Sequence, residues 1–185
     1  FYGWNAGRTN TGNYNAFYGP NAGYKNDGTA NSFYGYFSGY NNETGNYNVL
    51  MGYYSGYFNN TGSNNVMIGN FSGYSNTSGT SNLFLGYQAG YKNTTASNNV
   101  SLGYQSGYYN TTATGNVFIG YKSGYNNTNI TGGVTGDQGA YNTFIGQEAG
   151  YSNIKGTKNT VLGYFAGHTL NNGSNNVLAG NLAGF

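Results

Sequence analysis

Pairs of glycines, in which the second follows four positions after the first, recur along the whole chain and divide it into short repeats. The first glycines of these pairs are Gly3, Gly19, Gly35, Gly52, Gly69, Gly86, Gly103, Gly120, Gly146, Gly163 and Gly180. Their spacing is nearly constant, except for one longer interval between Gly120 and Gly146. A repeat this short cannot bury a hydrophobic face alone, so neighbouring copies must stack on one another. Residues 1–185 are therefore predicted to form a single repeat array, and function is expected to belong to the array.

Positions in the repeat are numbered here from this first glycine, which is position 0. Positions −3 to −1 are mostly β-branched, aliphatic or aromatic, as in Val117-Phe118-Ile119, which favours a short strand. Polar stretches such as 59–64 separate these strands and are typical of turns. Glycines at this density would cost a helix about 1 kcal/mol each. The predicted fold is all-β, a parallel β-solenoid (β-roll) of about eleven 16–17-residue coils.

The long interval between Gly120 and Gly146 indicates an insertion in one coil. It spans 129–140, is rich in glycine and contains Asp137. We expect a loop that leaves the stack, so that the next strand still advances by one rung. Within the chain it is the place where a specific contact is most expected, although a plain surface loop is the favoured interpretation.

The alternation of side chains along a strand divides the apolar positions between two faces. On the assumption that a narrow coil holds Val and Ile inside, positions −3 and −1 are predicted to face inward and position −2 outward. The outward row would be apolar and therefore buried against another chain. The predicted self-association residues are Phe33, Leu50, Met67, Phe84, Phe118 and Phe144.

Position −4 is asparagine in every copy that includes it. A local turn would also tolerate Asp or Ser, so an internal ladder between successive coils is favoured over a local cap. The predicted ladder comprises Asn48, Asn65, Asn82, Asn99, Asn116, Asn142, Asn159 and Asn176.

Tyrosine recurs at position +5, where stacked coils would place it in an aromatic row with a spacing of about 4.8 Å per rung. Such a row could pack chain against chain, or its rings could stack on the sugars of a glycan. The residues in question are Tyr40, Tyr57, Tyr74, Tyr91, Tyr108, Tyr125 and Tyr151.

Asn-x-Ser/Thr sequons are frequent in the polar loops. Many arise by chance in a chain so rich in Asn and Thr, yet a row of loop sites is a candidate for glycosylation. The candidate sites are Asn59, Asn76, Asn93, Asn110 and Asn126.

Composition argues against most other functions. Only 5% of residues are charged and the net charge is +2, so long-range attraction to nucleic acid or to anionic lipid is weak. No apolar run is long enough to span a membrane. With no Cys and one His, neither a catalytic triad nor a zinc site can be assembled within one chain. We expect no enzyme activity, no metal and no cofactor.

Three segments carry a resemblance to a known family: Asn-Val-Phe-Ile-Gly at 116–120, Asn-Thr-Phe-Ile-Gly at 142–146 and Asn-Asn-Val-Met-Ile-Gly at 64–69. They resemble the head repeats of trimeric autotransporter (YadA-like) adhesins, and more closely the Ile-Gly-x-x-Ala-Gly repeats of phage and bacterial tail-fibre-like surface proteins. The resemblance implies a left-handed parallel β-roll, usually trimeric. Adhesin heads commonly have Ala at position −2, where this chain has Phe, Leu or Met.

The expected function is that of a structural repeat module in an extracellular or virion surface fibre, located outside the cell or on a cell or virion surface. Its expected partner is itself, as a trimer or as an end-to-end filament, because no atypical capping repeat is present. The alternative is an adhesin or receptor-binding head that binds glycan through tyrosine rows or through the 129–140 insertion. Ice binding is disfavoured because the Thr residues form no regular rows.

Overall fold

The computed structural model describes residues 1–128 and 138–185. Within these ranges there is no helix, and every named strand is three residues long. The strands are β1 (Ala16–Tyr18), β2 (Ser32–Tyr34), β3 (Val49–Met51), β4 (Val66–Ile68), β5 (Leu83–Leu85), β6 (Val100–Leu102), β7 (Val117–Ile119), β8 (Thr143–Ile145), β9 (Thr160–Leu162) and β10 (Val177–Ala179). Each covers positions −3 to −1 of its repeat, as predicted.

The ten strands form one parallel sheet in which each strand pairs with the next along the chain. The register is constant, so that Leu50 of β3 pairs with Met67 of β4. A single bridge between Tyr2 and Tyr18 continues the ladder before β1. The predicted parallel β-solenoid is therefore confirmed.

The long interval between Gly120 and Gly146 also advances the chain by one rung. Strand β7 pairs in parallel with β8, and Phe118 lies opposite Phe144. Of the predicted insertion at 129–140, residues 129–137 lie outside the described residues.

Hydrogen bonds join successive coils outside the sheet as well. In the turn after β3, the backbone N–H of Gly56 donates to the carbonyl of Ser72 in the next coil at 2.9 Å. Further along the same turn, the N–H of Phe58 donates to the carbonyl of Tyr74 at 3.1 Å. The coils are thus attached to one another on more than one side, which satisfies backbone groups that the short strands leave free.

The core of the solenoid is a single column of position −2 side chains, and the predicted face assignment is wrong. The residues expected to point outward have 0–1% of their surface exposed within one chain; they are Phe33, Leu50, Met67, Phe84, Phe118 and Phe144. Positions −3 and −1 face outward instead, as shown by Leu85, which is 44% exposed. The predicted self-association residues therefore form the intramolecular core.

The second glycine of each pair explains why large rings fit inside so narrow a coil. Gly90, at position +4, has a left-handed φ of +60°, and a Cβ placed there would lie 2.7 Å from the ring of Phe84. Because glycine occupies this position, the ring of position −2 takes the space that a side chain would need. Next to it, the Ser72 hydroxyl is buried and donates to the Phe84 carbonyl at 3.0 Å, so position +3 must also be small.

The first glycine of each pair is required where two coils approach most closely. Gly86 has a φ of +135°, and a Cβ there would lie 2.5 Å from the carbonyl oxygen of Gly103 in the next coil. A side chain at position 0 would therefore push successive rungs apart.

Substitution of neighbouring residues in β5 tests this face assignment. Phe84→Ala is expected to lower the free energy of unfolding by about 3–5 kcal/mol, because it leaves a cavity in the core column. The matched control, Leu85→Ala, removes an outward side chain and should cost less than about 1 kcal/mol. Urea unfolding followed by circular dichroism measures both. Equal losses would contradict the assignment.

Candidate functional site: asparagine columns and an aromatic face

The asparagines at position −4 form a continuous hydrogen-bonded column along the interior. The backbone N–H of each donates to the side-chain Oδ1 of the copy in the preceding coil, as in Asn65 to Asn48 at 2.9 Å. The column continues across the long interval, where the N–H of Asn142 donates to Asn116 at 2.8 Å. The donor is the backbone N–H, so each side chain replaces a missing ladder bond at a corner of the coil.

A second asparagine column, at position +7, was not predicted as a structural row. In this column the Nδ2 group of Asn59 donates both to Oδ1 of Asn42 in the preceding coil, at 2.7 Å, and to the Gly62 carbonyl of its own coil, at 2.9 Å. Asn48, from the first column, donates to the same carbonyl at 2.8 Å. The two columns therefore meet at the carbonyl of position +10. The members of the second column are Asn10, Asn26, Asn42, Asn59, Asn76, Asn93, Asn110, Asn127 and Asn153.

The predicted glycosylation sites conflict with this second column. Asn59, Asn76 and Asn93 are fully buried and Asn110 is 3% exposed. Their amides donate to protein oxygens inside the coil, so an oligosaccharide cannot be attached to them in the folded chain, and that prediction is wrong for all four. The fifth candidate, Asn126, is half-buried and lies outside the column, because Asn127 occupies the buried position +7 of this coil.

The second column is broken where the repeat changes. Alanine replaces glycine at position +10 in two successive coils, as Ala96 and Ala113, and next to them Oδ1 of Asn93 and Nδ2 of Asn99 are buried without partners. A Cβ at the equivalent Gly79 would lie 2.4 Å from Oδ1 of Asn76, so alanine crowds this corner. These coils therefore carry unsatisfied polar groups, which lower their stability.

The aromatic side chains at position +5 form an uninterrupted row of stacked rings on the outside. Consecutive tyrosine centroids are 4.9–5.6 Å apart with interplanar angles of 5–19°. His168 takes the tyrosine place next to Tyr151, at 5.0 Å and 5°, and its Nε2 lies 3.1 Å from a carboxylate oxygen of Glu148. The tyrosines predicted for this row thus stack on one another within one chain.

Stacking decides what the position +5 row can bind. Because each ring covers the face of its neighbour, only the edges and hydroxyl groups remain open along the row. A pyranose stacks on a ring face, so this row does not offer the platform that the glycan alternative requires.

A second aromatic row, at position +1, is more exposed and is interrupted. Its rings are 42–73% exposed; they are Trp4, Tyr36, Tyr53, Tyr87, Tyr104, Tyr121 and Tyr164. Where tyrosines are consecutive their centroids are 5.3–5.5 Å apart and nearly parallel. The intervening copies have Pro20, Asn70, Gln147 and Asn181 at this position.

The residues at position +2 pack between these two rows in the early coils. Phe37, Tyr54 and Phe71 stack on one another at 5.1 and 5.8 Å and meet the position +1 rings edge to face. Each has a left-handed φ of 55–58°. Nothing in the residue pattern indicated that non-glycine residues would take this conformation, so the third row was missed.

Burial changes the acidity of the stacked tyrosines. Desolvation raises the pKa of Tyr108 to about 12, and repulsion from neighbouring phenolates such as Tyr91 and Tyr109 adds to it. The pKa values of Tyr57, Tyr74 and Tyr125 are raised for the same first reason. These four tyrosines are therefore uncharged at neutral pH.

Comparison of the chain with family models, with curated proteins and with solved structures finds no match. Within residues 1–128 and 138–185, no helix is long and apolar enough to cross a membrane. The same residues contain no group of three or more His, Asp or Glu side chains that could hold a metal ion.

An isosteric substitution tests the second asparagine column. Asn76→Asp replaces the Nδ2 donor of two bonds by a carboxylate oxygen facing Oδ1 of Asn59, which should lower the free energy of unfolding by about 3–5 kcal/mol at neutral pH. Burial raises the pKa of the new carboxyl above its unfolded value of about 3.9, so the loss should shrink at acidic pH, where both states are protonated.

The control for that substitution is Asn70→Asp, at an exposed site where the oxygen acceptor is retained. It should change the free energy of unfolding by less than about 0.5 kcal/mol at either pH. Urea unfolding at neutral and acidic pH measures both variants. A pH-independent loss in Asn76→Asp would contradict the buried column.

Alkaline titration tests the position +5 row. The folded pKa of Tyr108 lies above the unfolded value of about 10, so its contribution to stability is present below pH 10 and is lost as the pH rises through about 12. Tyrosinate absorbance should show a late phase that Tyr108→Phe reduces. A titration complete near pH 10 while the chain is still folded would contradict the stacked, desolvated row.

Proposed function

We propose that this chain is a structural module of a surface fibre, extracellular or on a virion, and that it serves as a stiff rod segment. The observation that carries the proposal is the unbroken in-register ladder from Tyr2 through β10. Eleven rungs at about 4.8 Å correspond to a rod roughly 50 Å long. The resemblance to tail-fibre-like repeats points to the same role.

Stiffness follows from the way the coils are joined. Backbone hydrogen bonds, the two asparagine columns and the aromatic rows all run along the same axis and link successive coils. Bending the rod would have to open several of these rows together. A low charge content and few exposed extended segments also disfavour attack by proteases.

The outer face of the sheet supports lateral self-association of the rod. Parallel sheets are normally covered on both faces, yet here positions −3 and −1 are open to solvent. The ten strands contain no charged residue, and Met51, Leu85 and Ile145 are each 37–44% exposed. This face replaces the position −2 row as the proposed contact between chains.

A second copy of this chain fits the face better than an unrelated partner. The apolar rows repeat at every rung over about 43 Å, and only a sheet with the same rung spacing matches them along that length. The face is about 10 Å wide, and with the adjoining position +1 row it approaches the area of about 800 Å² per partner that is typical of stable interfaces. The number of copies in the assembly and end-to-end stacking stay predictions.

Charged substitutions on the outward sheet face, compared with the same number of charges placed in loops, test the proposal. Met51→Glu with Leu85→Glu places two charges on the outward sheet face and should convert the assembly to monomers without loss of the β-signal in circular dichroism. The control, Thr61→Glu with Thr95→Glu, places the same charges on exposed loops of the same two coils and should leave the assembly intact. Analytical ultracentrifugation measures the mass.

Two results would contradict the proposal. One is a wild-type chain that stays monomeric at micromolar concentration, and the other is an assembly that survives the sheet-face charges but not the loop charges.

A further inference from the structure

The apolar core column is interrupted at one strand. Ser101 of β6 is the only polar residue at position −2, and it lies 2% exposed between Phe84 and Phe118. The buried apolar side chains accordingly form two clusters, one ending at Phe84 and Ala89 and the other beginning at Phe118. A hydroxymethyl group is polar and fills much less of the interior than a ring, so apolar packing along the axis is reduced at β6.

The ring of Phe118 extends into the space beside Ser101. A Cβ on Gly107 would lie 2.8 Å from this ring and 2.6 Å from Oγ of Ser101, whereas the atoms nearest the equivalent Gly90 all belong to Phe84 of its own coil. Phe118 therefore serves the interior of two coils, and β6 itself contributes no large side chain to the core.

The position +7 asparagine column is interrupted at the same place. Nδ2 of Asn93 donates to Asn76 at 2.6 Å, and Nδ2 of Asn127 donates to Asn110 at 2.7 Å. Among the described residues no such bond joins Asn110 to Asn93, because Nδ2 of Asn110 donates to the Ala113 carbonyl of its own coil at 2.9 Å. The column therefore lacks its link between the coil of β5 and the coil of β6.

Elsewhere an interruption of this column leaves the core intact. The column also ends at Asn153, since Leu170 follows in the next coil, but there the apolar core continues through Val161. Beside β6, by contrast, Oδ1 of Asn93 and Nδ2 of Asn99 are buried without partners. In the described part of the chain, β6 is the one strand at which the core and the amide column are interrupted together.

The backbone ladder still continues across β6, so the folded chain is one rod. Leu102 pairs with Leu85 on one side and with Ile119 on the other. The stability of a stacked array is approximately a sum of terms for each repeat and for each interface between neighbours. An interface held mainly by backbone bonds therefore allows one part of the stack to unfold while the other part stays folded.

We propose that β6 is a joint at which the solenoid divides into two units that unfold separately. The N-terminal unit comprises the coils of β1 to β5, and the C-terminal unit comprises the coils of β7 to β10. Because stability grows with the number of stacked coils, the shorter C-terminal unit unfolds first.

Such a joint makes the unfolding of the rod stepwise. When the C-terminal unit opens, the N-terminal unit remains as a template on which the next strand can pair again. The joint lies within a single chain and does not depend on the proposed assembly. A mass measurement and an unfolding measurement therefore succeed or fail separately.

Tryptophan probes at matched positions test the joint. Trp4 shows that position +1 accepts tryptophan, so in a Trp4→Tyr background Tyr53→Trp reports the N-terminal unit and Tyr164→Trp the C-terminal unit. Urea unfolding is followed by tryptophan fluorescence at one protein concentration. The midpoint of Tyr164→Trp should be lower by at least about 0.5 M. Coincident transitions would overturn the proposal.

Further probes distinguish a joint from gradual fraying of the chain ends. In the same background, Tyr36→Trp and Tyr87→Trp should share the midpoint of Tyr53→Trp, and Tyr121→Trp should share that of Tyr164→Trp. The step then falls between Tyr87 and Tyr121, on either side of β6. Midpoints that change evenly from coil to coil, with no step at β6, would also overturn the proposal.

Restoring the residues of the other coils provides the converse test. Ser101→Val gives β6 the residue that Val161 provides in β9, and Ala96→Gly with Ala113→Gly removes the crowding at position +10. In this triple variant the Tyr87→Trp and Tyr121→Trp midpoints should agree within about 0.2 M. If the triple variant does not fold, as judged by circular dichroism, the two glycine substitutions alone should reduce the step. An undiminished step in the folded variant would contradict the assigned cause of the joint.

Discussion

The structure depends on satisfying backbone and amide groups inside a coil that closes within one short repeat, such as the one from Gly69 to Gly86. Three-residue strands provide one short ladder per coil, and the sharp corners leave further N–H and C=O groups facing inward. Two asparagine columns satisfy these groups. In the position −4 column, each side-chain Oδ1 accepts the backbone N–H of the next coil, and in the position +7 column, each Nδ2 group donates to two oxygens. Asparagine suits these places because it carries an acceptor and two donors without charge.

The distribution of small and large residues follows from the same narrow interior. Only one column of large side chains fits, and it fits because position +4 has no side chain and position +3 is Ala or Ser. The remaining apolar and aromatic residues must therefore lie outside, on the sheet face and in the rows at positions +1, +2 and +5. The interior is therefore uniform and the varied side chains lie on the surface, which is where the proposed contacts between chains lie.

The period, the strands and their register could be predicted from the sequence because they repeat through every copy. The face assignment could not be taken from the alternation of residues 83–85, since alternation shows that position −2 differs from its neighbours but not which side is the interior. The glycine at position +4 of each repeat, such as Gly90, indicates the interior side, because its missing side chain makes room for a ring such as that of Phe84. Four of the asparagines at position +7 were interpreted as glycosylation sites because Thr or Ser stands two residues after each of them. Their regular recurrence at one position of the repeat was the feature that indicated a buried column.

The exchange rate of the asparagine side-chain amide protons with solvent tests the central claim most directly. If the two columns hold the coils together, the Nδ2 protons of Asn59 and Asn76 should exchange slowly, on the timescale of unfolding, while those of the exposed Asn70 exchange freely. Nuclear magnetic resonance of the folded chain resolves both groups in one experiment. Exchange of the column amides as fast as that of Asn70 would contradict the account.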